Sequence, residues 1–141
     1  MTTLNDALLE RTMAHIEANP DSYAGGFWRE GSRMDFAGHA AIQAGAEWVS
    51  TVDDTRPTLV MSCGDLATNF VFRSSVVRTP GGQLMHVADF AAQELGITDH
   101  VEDALFSSAT VEQLREMVNH LVEFGTFVDP TPVTQEEVTA P

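Results

Sequence analysis

A run of small residues between Gly31 and Gly45 constrains the fold more than any other stretch of the chain. The run reads GSRMDFAGHAAIQAG. The hydroxyl of Ser32 can cap the first helical turn, and the side chain of Asp35, three residues later, can bond back to Ser32 as in a capping box. Gly45 is placed to end the helix. The apolar positions recur at helical spacing: Phe36, Ala37, Ala40, Ala41 and Ala44. Because alanine side chains are short, we predict a central helix that neighbouring elements approach closely.

Other helices are predicted on both sides of this run. An amphipathic pattern extends from Thr3 to about Ala18 and ends at Asn19-Pro20, because proline cannot continue the hydrogen-bond ladder. Three more patterns lie near the C-terminus: Val87 to Leu95 ending at Gly96, Asp99 to Phe106 capped by Thr98, and a helix opened by a capping box of Thr110 and Gln113 and closed by Gly125.

Strand signals occupy the middle of the chain. The sequence predicts a hairpin from Ser75 to Val87 that turns at Pro80-Gly81, since proline presets the first φ angle and glycine accepts a positive one. Apolar runs at 58–63 and 69–74 can pair as strands. Residues 46–49 fit either a short strand or a last helical turn. We therefore predict an α+β fold, mainly helical, with a small antiparallel sheet.

This fold is expected to form one globular domain over residues 1–128, within which residues 51–72 are a possible insertion. Residues 129–141 form an acidic tail rich in proline and threonine. The tail has few apolar groups to offset the entropy of ordering, so we expect it to be flexible unless bound.

Charge and composition exclude several classes of function. The chain of 141 residues has 21 acidic residues and 7 basic ones, all arginine, for a net charge of −14. This balance opposes direct binding to nucleic acid and to anionic membranes. The single cysteine excludes an internal disulfide bond. Without a secretory signal or a run of eighteen apolar residues, we expect a soluble, cytoplasmic protein.

Several short motifs together suggest a family. Trp28, Ala37-Gly38-His39-Ala40, the hairpin at Pro80-Gly81, Leu95-Gly96-Ile97-Thr98 and Leu105-Phe106 occur in an order that resembles a group of small, mostly uncharacterised proteins of bacteria and their phages. Many members of that group have Cys-Gly-Thr-x-x-Cys before the central helix, where this chain has EGSRMD. A thiol or metal role of those cysteines therefore does not carry over, and the resemblance implies no specific activity.

An enzymatic interpretation centres on His39. Asp35 lies four residues before it on the predicted helix, and a third group such as His86 or Cys63 would complete a metal site. Cys63 with His39 or His86 is also a conceivable nucleophile and base. The simpler interpretation is that Asp35 caps the helix, His39 makes a backbone hydrogen bond at its boundary, and Cys63 is a small buried side chain. We expect no metal or other cofactor.

Acidic residues suggest a different kind of site. The acidic residues of the last two helices fall on outward positions. They form either a solvated face or a docking surface for a basic protein groove. Arg115, which lies among them, is expected to form an internal ion pair. With two glutamates of the tail, the candidates for partner binding are Asp99, Glu102, Asp103, Glu112, Glu116, Glu123, Glu136 and Glu137.

Two hypotheses therefore follow. The first is a small, acidic, non-enzymatic interaction or regulatory protein that binds a basic protein surface; the resemblance adds a phage-type inhibitor of a host complex. The alternative is a small hydrolase or metal-dependent enzyme centred on His39 with Asp35, His86 or Cys63.

Overall fold

The structure, a computed structural model, describes residues 4–26, 28–61, 68–107 and 109–125. These ranges form an α+β fold, as the sequence predicts. Their α-helices are α1 (Asp6–Ala18), α2 (Phe36–Gln43), α3 (Val87–Leu95), α4 (Asp99–Leu105) and α5 (Val111–Phe124). Short 3-10 helices lie at Pro20–Ser22 and Arg73–Ser75.

Seven short strands make three small antiparallel sheets in the described ranges. They are β1 (Arg29–Glu30), β2 (Arg33–Met34), β3 (Glu47–Trp48), β4 (Pro57–Met61), β5 (Thr68–Phe72), β6 (Val76–Arg78) and β7 (Leu84–His86). The sheets have the orders β1-β2, β3-β6-β7 and β4-β5.

The strand predictions are confirmed for residues 58–61 and 69–72, whereas residues 73 and 74 of the second predicted run belong to the 3-10 helix Arg73–Ser75. In the predicted hairpin at Pro80-Gly81, β6 and β7 pair with Val77 opposite Met85. The positive φ expected at Gly81 was wrong, because Gly82 adopts it instead, at +89°. The open question at residues 46–49 resolves in favour of a strand, because Trp48 pairs with Val77 on the other edge of β6. Residues 62–67, between β4 and β5, and the tail at 129–141 lie outside the described residues.

The central helix begins later than predicted. Ser32 does not cap it, because β1 and β2 form a small hairpin around Gly31, whose φ of +63° suits glycine. Asp35 is the N-cap residue, and its side chain accepts a hydrogen bond from the backbone N–H of Gly38 at 3.0 Å. The prediction of a Ser32 cap was therefore wrong, since the Ser32 segment turns between two strands.

The buried face of α2 matches the small-residue pattern. Phe36, Ala37, Ala40 and Ala41 are fully buried and belong to one hydrophobic core with residues of all five helices. Gly38 marks the closest approach, because a Cβ there would lie 2.8 Å from the Cβ of Met34 and 3.0 Å from the carbonyl oxygen of Trp28. The small residues thus allow close packing.

The predicted helix boundaries near the C-terminus hold with one exception. Thr110 and Gln113 form both hydrogen bonds of a capping box at the start of α5. Gly96 and Gly125 end α3 and α5 in left-handed conformations. Thr98 occupies the N-cap position of α4, but its side chain makes no capping hydrogen bond.

Candidate functional site

Asp35 is a buried carboxylate at the start of α2. It is fully inaccessible to solvent, its Oδ1 accepts the hydrogen bond from Gly38, and its Oδ2 is buried without a hydrogen-bond partner. Burial raises the pKa of Asp35 to about 7, although backbone hydrogen bonds to Gly38 and Ala37 oppose this effect. The group therefore caps the helix while carrying a desolvated second oxygen.

His39 is also buried, with 1% of its surface exposed. Its Nε2 lies 2.8 Å from the carbonyl oxygen of Ser22 and therefore carries the proton that this acceptor requires. The ring centroid of His15 lies 5.5 Å away. Burial lowers the pKa of His39, with the nearby His15 acting in the same direction and the Ser22 hydrogen bond opposing it. A neutral imidazole that ties α2 to the 3-10 turn accounts for these contacts.

Of the other two residues of the enzymatic hypothesis, His86 and Cys63, the structure describes only His86, and its contacts differ from those of Asp35 and His39. His86 is the N-cap residue of α3, where its Nδ1 accepts a hydrogen bond from Ala88 at 3.0 Å and its ring meets that of Trp28 edge to face. Cys63 lies outside the described residues. Within the described ranges, no three or more His, Cys, Asp or Glu side chains are grouped so that they could hold a metal ion. The described residues thus supply no converging metal-ligating set.

The acidic residues of α5 form one exposed stripe. Glu112, Glu116 and Glu123 are four and seven residues apart, so they project from one side of the helix. Leu114, Val118 and Leu121 are fully buried on the opposite side. Among the described residues, none of the three glutamates forms an ion pair.

Arg115 leaves this stripe uncompensated. Its guanidinium donates to Glu17 at 2.6 and 3.0 Å and to Glu10 at 3.0 Å, which joins α5 to α1. The expected internal ion pair is therefore confirmed. Because Arg115 is the sole arginine or lysine of α4 and α5, no other arginine or lysine of these two helices is available to the acidic side chains.

A second acidic cluster surrounds the first turns of α4. Asp99 and Asp103 are exposed, whereas Glu102 is partly buried between them. Burial raises the pKa of Glu102, and the charges of Asp89, Asp99 and Asp103 add to the effect. Asp89 lies on α3, so its proximity has no signal in sequence spacing. We call Asp89, Asp99, Glu102 and Asp103 the acidic cluster, and the α5 stripe of Glu112, Glu116 and Glu123 the acidic face. The other two candidates, Glu136 and Glu137, lie outside the described residues.

Sequence reasoning also missed a role for Arg29. Its guanidinium lies 4.0 Å from the ring centroid of Trp48 and donates to the carbonyl oxygens of Ser50 at 2.7 Å and of Ser74 at 3.0 and 3.3 Å. Burial lowers its pKa, and no carboxylate in the described ranges pairs with it. Beside it lies a cleft of about 360 Å³ that Trp28 and Ser75 also line. Arg29 thus links β1 to the segment after β3 and to the 3-10 helix Arg73–Ser75, with its guanidinium over the indole ring of Trp48.

None of the helices in the described ranges combines the length and apolar character that crossing a bilayer requires. Comparisons with protein-family models, with curated proteins and with solved structures gave no match.

Proposed function

We propose that this protein is a non-enzymatic interaction protein that binds a basic surface of another protein through its acidic face. The observation that carries the proposal is the row of exposed carboxylates at Glu112, Glu116 and Glu123, which form no ion pair with any described residue, beside an arginine that is turned toward α1. A solvated helix needs only scattered charges of both signs. A single-sign face on a rigid helix is instead suited to electrostatic recognition.

The chemistry of the face defines the kind of partner. Carboxylates repel phosphates, so nucleic acid is excluded, whereas arginine and lysine side chains of a protein groove complement them. Burial, together with repulsion within the acidic cluster, raises the pKa of Glu102. A basic partner that also contacts this cluster relieves that repulsion, which favours the complex over the free protein. If the groove normally holds DNA or RNA, the bound protein competes with nucleic acid and acts as an inhibitor.

The first experiment identifies a partner and its salt dependence. Immobilised full-length protein is incubated with a lysate of the organism that encodes it, at low and at high salt, and retained proteins are identified by mass spectrometry. Ion pairs at an exposed face weaken as salt screens them, so we expect a basic protein at low salt that is lost at high salt. Retention of no protein at either salt concentration counts against the proposal.

A charge-neutral variant then links the partner to the face. Glu112→Gln, Glu116→Gln and Glu123→Gln together remove three charges and preserve side-chain length. Each exposed ion pair contributes about 0.2–1 kcal/mol to binding, so the loss of three pairs should weaken the affinity roughly tenfold. The matched control replaces three acids elsewhere, Asp6→Asn, Glu47→Gln and Asp53→Asn, and should bind as the wild type does.

A further inference from the structure

The hairpin of β4 and β5 has an apolar outer face. Leu59 lies opposite Phe70 and Pro57 opposite Phe72, and alternate residues of a strand point to one side of the sheet. The exposed fractions are 51% for Leu59, 72% for Phe70 and 61% for Phe72. On the other side, Thr58 and Val60 are buried. The hairpin therefore packs one face inward and presents large apolar side chains on the other.

The size of this apolar face exceeds what scattered surface residues explain. Taking roughly 200 Å² for a phenylalanine side chain, Leu59, Phe70 and Phe72 expose on the order of 350 Å². Contiguous apolar patches of this order are the largest on typical monomeric proteins and often mark interaction sites. No charged side chain occupies the described outer positions 57, 59, 70 and 72. The face is thus suited to an apolar, uncharged surface of another molecule.

The chain's excess negative charge lies mainly outside the segment that carries the hairpin. Residues 47–86 contain four acids (Glu47, Asp53, Asp54 and Asp65) and three arginines (Arg56, Arg73 and Arg78), a net charge of −1. Residues 87–141 contain 11 acids and one arginine, a net charge of −10. Two copies of this chain, each with a net charge of −14, repel each other less across this nearly neutral segment than across the strongly acidic one.

The same distribution of charge argues against other classes of partner at the outer face of the hairpin. A basic partner is attracted to the acidic face and gains no ion pair from the outer hairpin positions, while an acidic partner is repelled by the net charge. A second copy offers an apolar, uncharged face of matching size, and two-fold symmetry lets each face serve as the other's complement.

We infer that two copies of this protein associate through the outer faces of their β4–β5 hairpins, with Leu59, Phe70 and Phe72 of each copy at the centre. The apolar area from both copies is on the order of 700 Å², below the roughly 1,200–2,000 Å² of a stable interface. The dimer is therefore weak and exchanges rapidly with the monomer. This inference is independent of the proposed function, because it uses a different surface.

Analytical ultracentrifugation of the full chain, from about 10 µM to about 1 mM, tests the dimer. For the wild type, the weight-average mass should rise with concentration from 15.3 kDa toward twice that value. Added salt should strengthen the association by screening repulsion between the two copies. Binding of a basic partner should respond in the opposite direction, so the two proposals can fail separately.

The variants Phe70→Ser and Leu59→Ser should remain at 15.3 kDa throughout, with an unchanged circular dichroism spectrum. The matched control is Phe124→Ser, which alters an equally exposed phenylalanine on α5 (57%) and should associate as the wild type does. In wild-type NMR spectra, dilution should shift the resonances of Leu59, Phe70 and Phe72 most. A wild-type mass that never rises, or an equal loss of association in Phe124→Ser, would overturn the inference.

Discussion

Arg115 and Glu17 are joined by two parallel hydrogen bonds, from Nη2 to Oε1 at 2.6 Å and from Nε to Oε2 at 3.0 Å. This bidentate pair links α5 to α1 and holds the pKa of Glu17 below its ordinary value, mainly through the hydrogen bond. It also determines what α5 presents on its other side, because the cation of that helix is used within the fold. The exposed stripe is left without an arginine or lysine of that helix.

Replacement of Arg115 tests this division of roles. Arg115→Gln removes the ion pairs to Glu10 and Glu17, so we expect the free energy of unfolding to fall by about 1 kcal/mol at low salt and by less at high salt. Urea unfolding at two salt concentrations measures both changes. Arg33→Gln, whose partner Glu30 lies in the same small hairpin, should have a smaller effect. Equal stability of Arg115→Gln and wild type at low salt would show that the network contributes nothing.

The buried carboxyl of Asp35 predicts a stability change with pH. Its pKa is raised from 3.8 to about 7 in the folded protein, so the unfolded chain releases the proton first as pH rises. The contribution of this group to stability is therefore fully present below pH 3.8 and is lost as pH rises through about 7. Asp35→Asn keeps an oxygen for the helix cap and removes the titration.

We expect the stability of Asp35→Asn relative to wild type to increase between about pH 4 and about pH 8 by on the order of 2–4 kcal/mol. Denaturant unfolding of both proteins at each pH measures the difference in their free energies of unfolding. A cost of the amide that does not vary with pH is the same at both ends of the range, so it does not affect the expected change. A difference that does not vary with pH contradicts the assigned burial of this carboxyl.

His39 predicts a pH dependence of the opposite sign. Burial holds its pKa below the ordinary value of 6.5, so the folded state binds the proton less readily than the unfolded chain does. The contribution of His39 to the free energy of unfolding is present above pH 6.5 and is lost as pH falls through the lowered pKa. His39→Gln retains a donor for the carbonyl of Ser22 and should lose less stability than wild type on acidification from about pH 8 to about pH 5.

Thermal unfolding of the two proteins at these pH values gives the comparison. The control is His100→Gln, which changes an exposed histidine of α4 that is not among the groups shifting the pKa of His39, and it should lose stability on acidification much as the wild type does. An identical response of His39→Gln and wild type would mean that His39 is not held neutral by burial.

Gly38 predicts a steric limit at the centre of α2. Alanine normally favours a helix by about 1 kcal/mol over glycine, but a Cβ here meets the Cβ of Met34 at 2.8 Å and the backbone oxygen of Trp28 at 3.0 Å. Neither atom is the end of a flexible side chain, so Gly38→Ala should destabilise the protein by roughly 1–3 kcal/mol. Gly81→Ala, where the nearest atom is 3.8 Å away, should change stability by less than about 1 kcal/mol. Denaturant unfolding that ranks the two variants in the reverse order contradicts this packing.

Local chemistry explains which parts of the fold were predictable. The capping box of Thr110 and Gln113 and the left-handed glycine at Gly96 depend on residues within one turn of a helix, and both predictions were confirmed. The start of α2 was not predictable in this way, because Ser32 and Asp35 both carry capping signals. Pairing of Arg29 with Met34 across the β1–β2 hairpin decided between them.

The candidate sites were predictable to a smaller extent. Helical spacing gave the outward positions of Glu112, Glu116 and Glu123, and these side chains are exposed. By contrast, Asp89 joins the acidic cluster from another helix, and Arg29 contacts the carbonyl of Ser74, which lies 45 residues away. Such contacts depend on how elements pack, which periodicity does not encode.

The affinity of the acidic face for its partner tests the central claim most directly. With the protein retained in the low-salt experiment, the dissociation constant is measured for the wild type, for the triple variant of Glu112, Glu116 and Glu123, and for the control triple variant of Asp6, Glu47 and Asp53. We predict roughly tenfold weaker binding for the first variant and an unchanged constant for the control. Equal affinities for all three proteins would contradict a docking role for the acidic face.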